Sequence, residues 1–194
     1  ASPAETITQY LVYCEKADKK RVLKDMLVSP EVKKAIVFTR TKIGADRLTK
    51  KLIEDGIKVL TIHGDKTQGQ RQNALQRFRT NQVDVLVATD VAARGIDISD
   101  ISHVFNYDLP EEDESYIHRI GRAGRAGKEG ISISLCCHEE LGLLASIEKM
   151  LKKEIPLMKT EYSIELKRKK ASASKSNGSR QFKKKTDTPN TSDK

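Results

Sequence analysis

The chain has 194 residues, of which 37% are hydrophobic and 32% charged, so it can form the core of one domain with an extension. The formal net charge is +9, but residues 167–194 hold ten Lys/Arg and two Asp/Glu, which leaves +1 for residues 1–166. Three cysteines match neither a disulfide framework nor a zinc spacing, and no apolar run approaches the roughly 20 residues that cross a bilayer. We therefore expect a reduced, cytoplasmic protein without a membrane span, and no metal site of its own.

Short apolar runs alternate with amphipathic stretches along the first 153 residues. In chain order the pattern predicts strands over 6–13, 35–38, 59–62, 83–88, 104–107 and 130–136. Each strand is followed by a predicted helix, over 16–27, 41–54, 67–79 and 91–94 (short), after the acidic run 111–114, and over 138–153. Strands that alternate with helices predict an α/β fold with a mostly parallel sheet and helices on both faces.

The two ends of the chain differ from this pattern. Residues 1–5 are expected to be a linker. Past Leu166 the sequence is polar and lysine-rich, and it cannot bury enough surface to offset chain entropy. We expect residues 161–194 to be a mostly disordered basic tail. Such a tail can bind a phosphate backbone, and Phe182 could stack on a base; a tail that only aids solubility is the alternative.

Polar residues follow four of the predicted strands. They are Thr39, Arg40 and Thr41; His63, Gly64, Asp65, Gln68 and Arg71; Thr89, Asp90, Arg94, Gly95 and Asp97; and Asp108. The carboxyl ends of parallel strands meet at one edge, where ligands bind in open α/β sheets. Hydroxyls, glycine amides, helix N-termini and arginines are the groups that hold phosphates. Each residue alone could be only a cap or a turn, but four clusters at one edge favour a phosphate site.

An arginine and glycine run, H-R-I-G-R-A-G-R-A-G, occupies residues 118–127. Arg119, Arg122 and Arg125 recur every third residue, which places their guanidiniums roughly on one side of a turn. Guanidinium is planar, permanently charged and bidentate toward phosphate, so the set suits charge that develops on a transferring phosphoryl group. A solvated basic loop or an RGG-like nucleic-acid tract is the alternative.

Groups for the rest of a nucleotide site are absent from the sequence. Gly64 and Gly69 have the spacing of a P-loop, but Gln70 and Arg71 follow where Lys and Ser/Thr are required. The acidic run 111–114 opens a helix and is a poor magnesium site. This combination predicts half of a composite site, in which the arginines are supplied to a partner domain.

Several of these segments resemble motifs of the DEAD-box RNA helicases. V-A-T-D-V-A-A-R-G-I-D-I at 87–98 resembles motif V, and H-R-I-G-R-A-G-R at 118–125 resembles motif VI. I-V-F-T-R-T at 36–41 resembles motif IV, and I-H-G-D-K-T-Q-G-Q-R at 62–71 resembles the Q-x-x-R segment that follows motif IV. N-Y-D-L-P at 106–110 also resembles the sequence of this family. The similarity covers about residues 6–160 in order, and its wording is most similar to the bacterial RhlE-type subgroup.

The resemblance implies the C-terminal RecA-like domain of a superfamily 2 ATP-dependent RNA helicase, a three-layer sandwich over residues 6–160. Arg122 and Arg125 would be arginine fingers on the γ-phosphate, and His118 would help tie two domains together. Asp97 and Gly95 would lie at the nucleotide. The RNA backbone would be held by Thr39, Gly64, Arg71, Thr89, Arg94 and Gly95. Arg119 would be interdomain or structural, and Ala123, which departs from the usual Thr, would remove one hydroxyl from the cleft.

The implied partners follow from the same resemblance. ATP, with Mg²⁺ held by an absent N-terminal RecA-like domain, would be hydrolysed by the full-length protein and not by this chain alone. The RNA, single-stranded or duplex, would be bound without sequence preference by a monomer. Two alternatives stay open, namely a non-catalytic RNA-binding module with a helicase-like fold, and the motor domain of a DNA helicase of the same superfamily.

Overall fold

The computed structural model describes residues 2–98, 100–124 and 129–170. Six strands in these residues form one sheet: β1 (Ile7–Tyr13), β2 (Ala35–Thr39), β3 (Val59–Ile62), β4 (Val85–Thr89), β5 (His103–Asn106) and β6 (Gly130–Cys136). Every pairing is parallel, and the order across the sheet is β1-β6-β5-β2-β4-β3. The expected parallel α/β architecture is confirmed, and each strand begins and ends close to its predicted bounds.

Helices cover both faces of the sheet. They are α1 (Pro3–Thr6), α2 (Lys19–Leu27), α3 (Lys42–Glu54), α4 (Gln68–Arg79), α5 (Asp90–Ala93), α6 (Asp113–Ile120) and α7 (Leu141–Leu151), with 3-10 turns at Lys16–Asp18 and His138–Glu140. α2 and α3 pack on one face, where Leu23 and Leu52 share a buried cluster with Val37. α4 to α7 pack on the other face, where Phe78 clusters with Ile36. Because successive side chains of a strand point to opposite faces, β2 separates the two cores of a RecA-like three-layer sandwich. No helix in the described ranges is both long enough and apolar enough to cross a membrane.

Two threonines fix where helices begin beside the carboxyl edge of the sheet. The Thr41 hydroxyl accepts a hydrogen bond from the Gly44 amide at 2.9 Å, which caps α3. At α4, the Thr67 hydroxyl accepts from the Gln70 amide at 3.1 Å, and the Gln70 side chain accepts from the Thr67 amide at 2.9 Å. This reciprocal capping box satisfies backbone donors that the first helical turn leaves without partners. The start of each helix is therefore fixed next to the loop that follows β2 or β3.

The chain after α7 returns along the outer edge of β1. The Leu11 amide donates to the Pro156 carbonyl at 2.8 Å, and the Met158 amide donates to the Leu11 carbonyl at 2.8 Å. Farther on, Arg168 pairs with Glu148, with Nε 2.9 Å from Oε1. The packed part of the chain thus extends to residue 168, past the domain boundary expected at residue 160. Residues 171–194, where most of the predicted tail lies, are outside the described residues. The short helix α1 begins within the expected linker and ends one residue beyond it, at Thr6.

Candidate functional site

The strand register brings the predicted site segments to one edge. Thr39, the last residue of β2, is aligned with Thr89, the last residue of β4. Phe38 is aligned with Asn106 at the end of β5, and Ala88 with Ile62 at the end of β3. The loops after β2, β3, β4 and β5 therefore start side by side. The sequence-based expectation of a shared edge is met by this register.

Arg119 is a structural residue of this edge. It is 1% exposed, and its guanidinium makes a bidentate pair with Asp90, with distances of 2.6 and 2.8 Å. It also donates to the Asp108 carbonyl, and it lies over the Phe38 ring at 5.2 Å. The side chain thus joins α6 to the first residue of α5 and to the ends of β2 and β5. These contacts of Arg119 hold the edge together within this domain, and its interdomain role stays a prediction.

Arg122, one helical turn later, is half-buried and points to the same edge. Its guanidinium donates to the Ala93 carbonyl at 2.7 Å and to the Ile96 carbonyl. A small cavity of about 30 Å³ opens beside it, lined also by Arg94 and His118. The two carbonyls hold the planar, cationic group in place at the rim of the sheet.

The turn after α5 carries three of the predicted residues. Arg94, Gly95 and Asp97 are all exposed. Gly95 has a φ of 70°, in the left-handed region that side chains with a Cβ disfavour. The carbonyl of Asp97 accepts a hydrogen bond from Arg79 Nη2 at 3.0 Å, which anchors the turn to α4. The glycine therefore lets the chain reverse so that Arg94 and Asp97 project from one short loop.

The loop after β3 is held by a buried histidine. His63 is 2% exposed; its Nδ1 accepts from the Asp65 amide at 3.1 Å, and its Nε2 lies 2.8 Å from Asp46 Oδ1. Since Nδ1 accepts, the neutral ring carries its proton on Nε2 and donates it to Asp46. Lys42 holds Asp65 at 3.0 Å, and this hydrogen bond lowers the pKa of the Asp65 carboxyl. Gly64 is consequently exposed on an ordered loop.

The remaining predicted RNA contacts differ in exposure. Arg71 is half-buried and donates to the Ala92 carbonyl at 3.4 Å. Thr89 lines an open groove of about 340 Å³ together with Arg40 and Arg94. Thr39 is fully buried, and its hydroxyl donates to the Thr41 carbonyl at 3.2 Å, so its side chain is engaged inside the loop.

Part of the arginine run differs from expectation or is not described. Arg125 lies outside the described residues. Ala123 is 1% exposed and forms a bridge with Ile101, so its side chain is in the core. A Cβ on Gly130 would meet the backbone of Ala123 at 2.7 Å, which shows how closely these segments pack. The expectation that position 123 contributes to the cleft is therefore wrong, because the side chain points away from it.

Sequence reasoning missed a buried ionic network behind the loop that follows β5. Lys19 is 2% exposed and Glu140 is 5% exposed, and the two are in direct contact. Lys19 also donates to the Tyr107 carbonyl at 2.7 Å, while Glu140 accepts from the Leu109 amide at 2.8 Å and from Arg40 Nη2 at 3.3 Å. One signal was present in the sequence, since Lys19 lies at helical spacing with the apolar Val22, Leu23 and Met26, on the buried side of α2.

No group of three or more His, Cys, Asp or Glu residues in the described ranges could hold a metal ion. The chemistry of the edge is instead that of anion binding. Arginines, glycine turns and helix N-termini converge there, with Arg122 and Arg94 beside an exposed histidine.

Comparison with known proteins identifies the family. The model described as "Helicase conserved C-terminal domain" matches residues 18–127. The ATP-dependent RNA helicase CshA of Listeria monocytogenes is 47% identical over 149 residues, which are 77% of this chain and 29% of that protein. The chain belongs to the DEAD-box helicase family, as a C-terminal RecA-like domain.

Solved structures of DEAD-box proteins agree with this assignment. Escherichia coli SrmB, in a complex with the regulator of ribonuclease activity A, is 36% identical with a TM-score of 0.75, and the match covers 84% of this chain and 96% of that one. Saccharomyces cerevisiae Dbp5 bound to RNA and ADP BeF3 is 33% identical with a TM-score of 0.73, over 81% of this chain and 44% of that one. The DEAD-box domain described here spans about a third of the length of the curated relatives it matches. Its placement in the RhlE-type subgroup stays a prediction.

Proposed function

We propose that this DEAD-box domain is the second motor domain of an ATP-dependent RNA helicase, and that it completes an ATP site held mainly by an N-terminal RecA-like domain. The observation that carries the proposal is the cluster of Arg94, His118 and Arg122 at the carboxyl edge of the sheet. These groups suit the oxygens of a terminal phosphate, while the chain has no P-loop for the rest of the nucleotide.

Arg122 is proposed as an arginine finger, and Arg125 as a second. The carbonyls of Ala93 and Ile96 hold the Arg122 guanidinium in one orientation at the rim, so little conformational entropy would be lost when a γ-phosphate arrives. Such a group stabilises charge on the transferring phosphoryl group and is worth roughly 10³–10⁵ in turnover. His118 would help tie the two domains together, while Asp97 and Gly95 would lie at the nucleotide.

The RNA backbone is proposed to run over the same edge, across Thr39, Gly64, Arg71, Thr89, Arg94 and Gly95. Thr89 and Arg94 share an open groove, and Gly64 offers an exposed backbone next to it in the sheet order. Because Thr39 is buried, its contribution would come through the loop that it holds rather than through its hydroxyl. Phosphate and sugar contacts carry no base information, so binding would be independent of sequence. The RNA and ADP BeF3 in the Dbp5 complex support both halves of the proposal.

The cycle then follows from the shared edge. ATP and single-stranded RNA together would hold the two domains closed, and Mg²⁺ would be bound by the N-terminal domain. A strand held in a bent path across two domains does not fit a regular duplex, so short helices would be opened locally. Hydrolysis would release the closed state. The isolated chain, which lacks the phosphate cradle, would not hydrolyse ATP.

The test uses this chain alone and joined to an N-terminal RecA-like domain of the family. The joined protein should show RNA-stimulated ATP hydrolysis, and Arg122→Ala should lower its turnover by about 10³ or more while ATP binding changes much less. Arg122→Lys keeps the charge but not the bidentate fork, and should recover only a minor part. Robust hydrolysis by this chain alone would refute the half-site proposal. Full turnover in Arg122→Ala would show that Arg122 is not an arginine finger, and a joined protein that binds RNA without hydrolysing ATP would favour a non-catalytic RNA-binding module.

A further inference from the structure

A basic groove lies between α2 and α3, on the face of the sheet opposite α4 to α7. Its cationic side chains are Lys16, Lys20, Arg21 and Lys24 from the 3-10 turn and α2, and Arg47 and Lys51 from α3. The groove has two parts, of about 450 and 320 Å³, that share Lys20 and Lys51 and so form one continuous surface. We call it the α2–α3 groove.

The cations of the α2–α3 groove form two rows. Lys20 and Lys24 are spaced by four residues along α2, with Lys16 in the 3-10 turn before it, and Arg47 and Lys51 are spaced by four residues along α3. Four residues rise about 6 Å along a helix and return to nearly the same side of it. Each row therefore presents successive positive charges along a line, as a phosphodiester backbone presents successive negative ones.

Neighbouring acids neutralise only part of this charge. Arg21 pairs with Asp18 at 2.6 Å, Lys24 lies 3.8 Å from Asp55, and Lys51 lies 3.6 Å from Glu54. In contrast, Lys16, Lys20 and Arg47 are exposed, and no carboxylate of the described residues lies within 4.0 Å of them. These three side chains leave a net positive potential along the groove.

The surroundings favour RNA over an acidic protein. The part of the groove distant from the edge is lined by Lys20, Arg21, Lys24, Lys51 and Asp55, without an apolar side chain, whereas the near part also contains Ile43, Leu48 and Tyr107. Protein partners usually dock through buried apolar or aromatic anchors, whereas a phosphate backbone needs only cations. The near part opens at Arg40 and Thr41, the loop that directly follows Thr39 at the carboxyl edge. The groove is thus continuous with the edge on which the RNA strand is proposed to lie.

We propose that the α2–α3 groove binds the sugar-phosphate backbone of RNA that continues past the carboxyl edge of the sheet. This inference rests on the proposed function, because the edge must deliver the strand to the groove. A short RNA would occupy the edge alone, while a longer RNA would also neutralise Lys16, Lys20 and Arg47. The groove would thereby lengthen the bound segment without adding sequence preference.

The experiment measures binding of oligouridylates of about 6 and about 16 nucleotides to the full chain over a salt series. The groove variant is Lys16→Gln/Lys20→Gln/Arg47→Gln, and the matched control is Lys149→Gln/Lys152→Gln/Lys159→Gln, which removes three exposed lysines elsewhere. The three groove side chains lack ion-pair partners among the described residues, so their loss should leave the fold intact, which circular dichroism would verify. Loss of three phosphate contacts should lower the log–log salt slope by about 2 and weaken binding of the longer RNA about 10–100-fold at 0.1 M salt.

The outcomes separate the inference from the function on which it rests. Unchanged affinity for the shorter RNA, together with 4-thiouridine cross-links from the longer RNA to residues 16–24 and 41–51, is expected. Equal losses of affinity for the longer RNA in the groove variant and its control, or the absence of these cross-links, would overturn the proposal that the groove binds RNA. If Arg71→Ala/Arg94→Ala binds both RNAs normally, the proposed edge is wrong instead. If the groove variant loses affinity for polyglutamate but retains its affinity for RNA, the ligand of the groove is an acidic protein and not RNA.

Discussion

Lys19 and Glu140 form a charged pair inside the domain, and removing one of them should cost more than removing both. Each is at least 95% buried, and the pair joins α2 to the residues just before α7. In Lys19→Met the Glu140 carboxylate keeps the Leu109 amide, Arg40, and the amide and thiol of Cys137 nearby. In Glu140→Gln the Lys19 ammonium keeps the Tyr107 carbonyl and Asp108 at 3.6 Å. Each single variant therefore leaves a buried charge without its direct counter-ion.

The expected magnitudes follow from those remaining contacts. Breaking a buried pair costs about 3–5 kcal/mol, and the secondary partners place both single variants near the lower end, at about 3 kcal/mol. The double variant Lys19→Met/Glu140→Gln carries neither charge, and the Gln carbonyl can still accept from the Leu109 amide. Its loss should be about 2–3 kcal/mol, so the pair should show a coupling of about 3 kcal/mol.

Urea unfolding followed by circular dichroism measures this cycle. The total stability of a domain is about 5–15 kcal/mol, so a single variant that is already unfolded in water gives a lower bound on its loss. We expect the double variant to lose less free energy of unfolding than the sum of the losses in the two single variants. Additivity within about 0.5 kcal/mol would show that the pair does not act as a unit and would refute the reasoning.

Two further predictions concern pH and the tail. Burial raises the pKa of the Cys14 thiol to about 11, whereas an unfolded thiol ionises near pH 8.5; the stability that this thiol contributes should therefore be complete below about pH 8.5 and be lost at up to about 1.4 kcal/mol per pH unit as the pH rises toward 11. Burial also raises the pKa of the Cys136 and Cys137 thiols, so the total fall should be steeper than the part due to Cys14. Cys14→Ala should flatten this fall in urea midpoints, and an unchanged slope would contradict the assignment. Deleting residues 171–194 removes six Lys/Arg and should lower the salt slope of RNA binding by up to about 4; an equal slope would make the tail a bystander.

The fold was readable from the sequence because its local signals agree with one another. The run over residues 35–38 is apolar throughout, and β2 is buried at every position in the middle of the sheet. Thr67 and Gln70 have the three-residue spacing of a capping box, and they make that box at the predicted start of α4. The path of residues 156–168 was not readable, because Leu157 and Met158 pair with β1 by backbone hydrogen bonds, which leave no pattern in side chains.

For the site, sequence alone indicated which residues reach the edge but not how each is used there. The repeated spacing of Arg119 and Arg122 places both guanidiniums on one side of a turn, yet one is buried against Asp90 and the other is half-exposed at the rim. That difference arises from tertiary packing around Phe38, which no local pattern encodes. Glu140 was missed for a related reason, since its partners come from three separate segments of the chain.

The return of the chain along β1 has a consequence for where this domain can be divided. β1 is the outermost strand on its side of the sheet. The amide of Leu11 donates to the carbonyl of Pro156, and the carbonyls of Leu11 and Tyr13 accept from the amides of Met158 and Ile164. Truncation before residue 156 would leave β1 as an unpaired edge strand. Unpaired edge strands are the sites through which sheets of separate molecules associate. The segment after α7 thus protects the edge strand from pairing with other molecules, and it belongs to the folding unit.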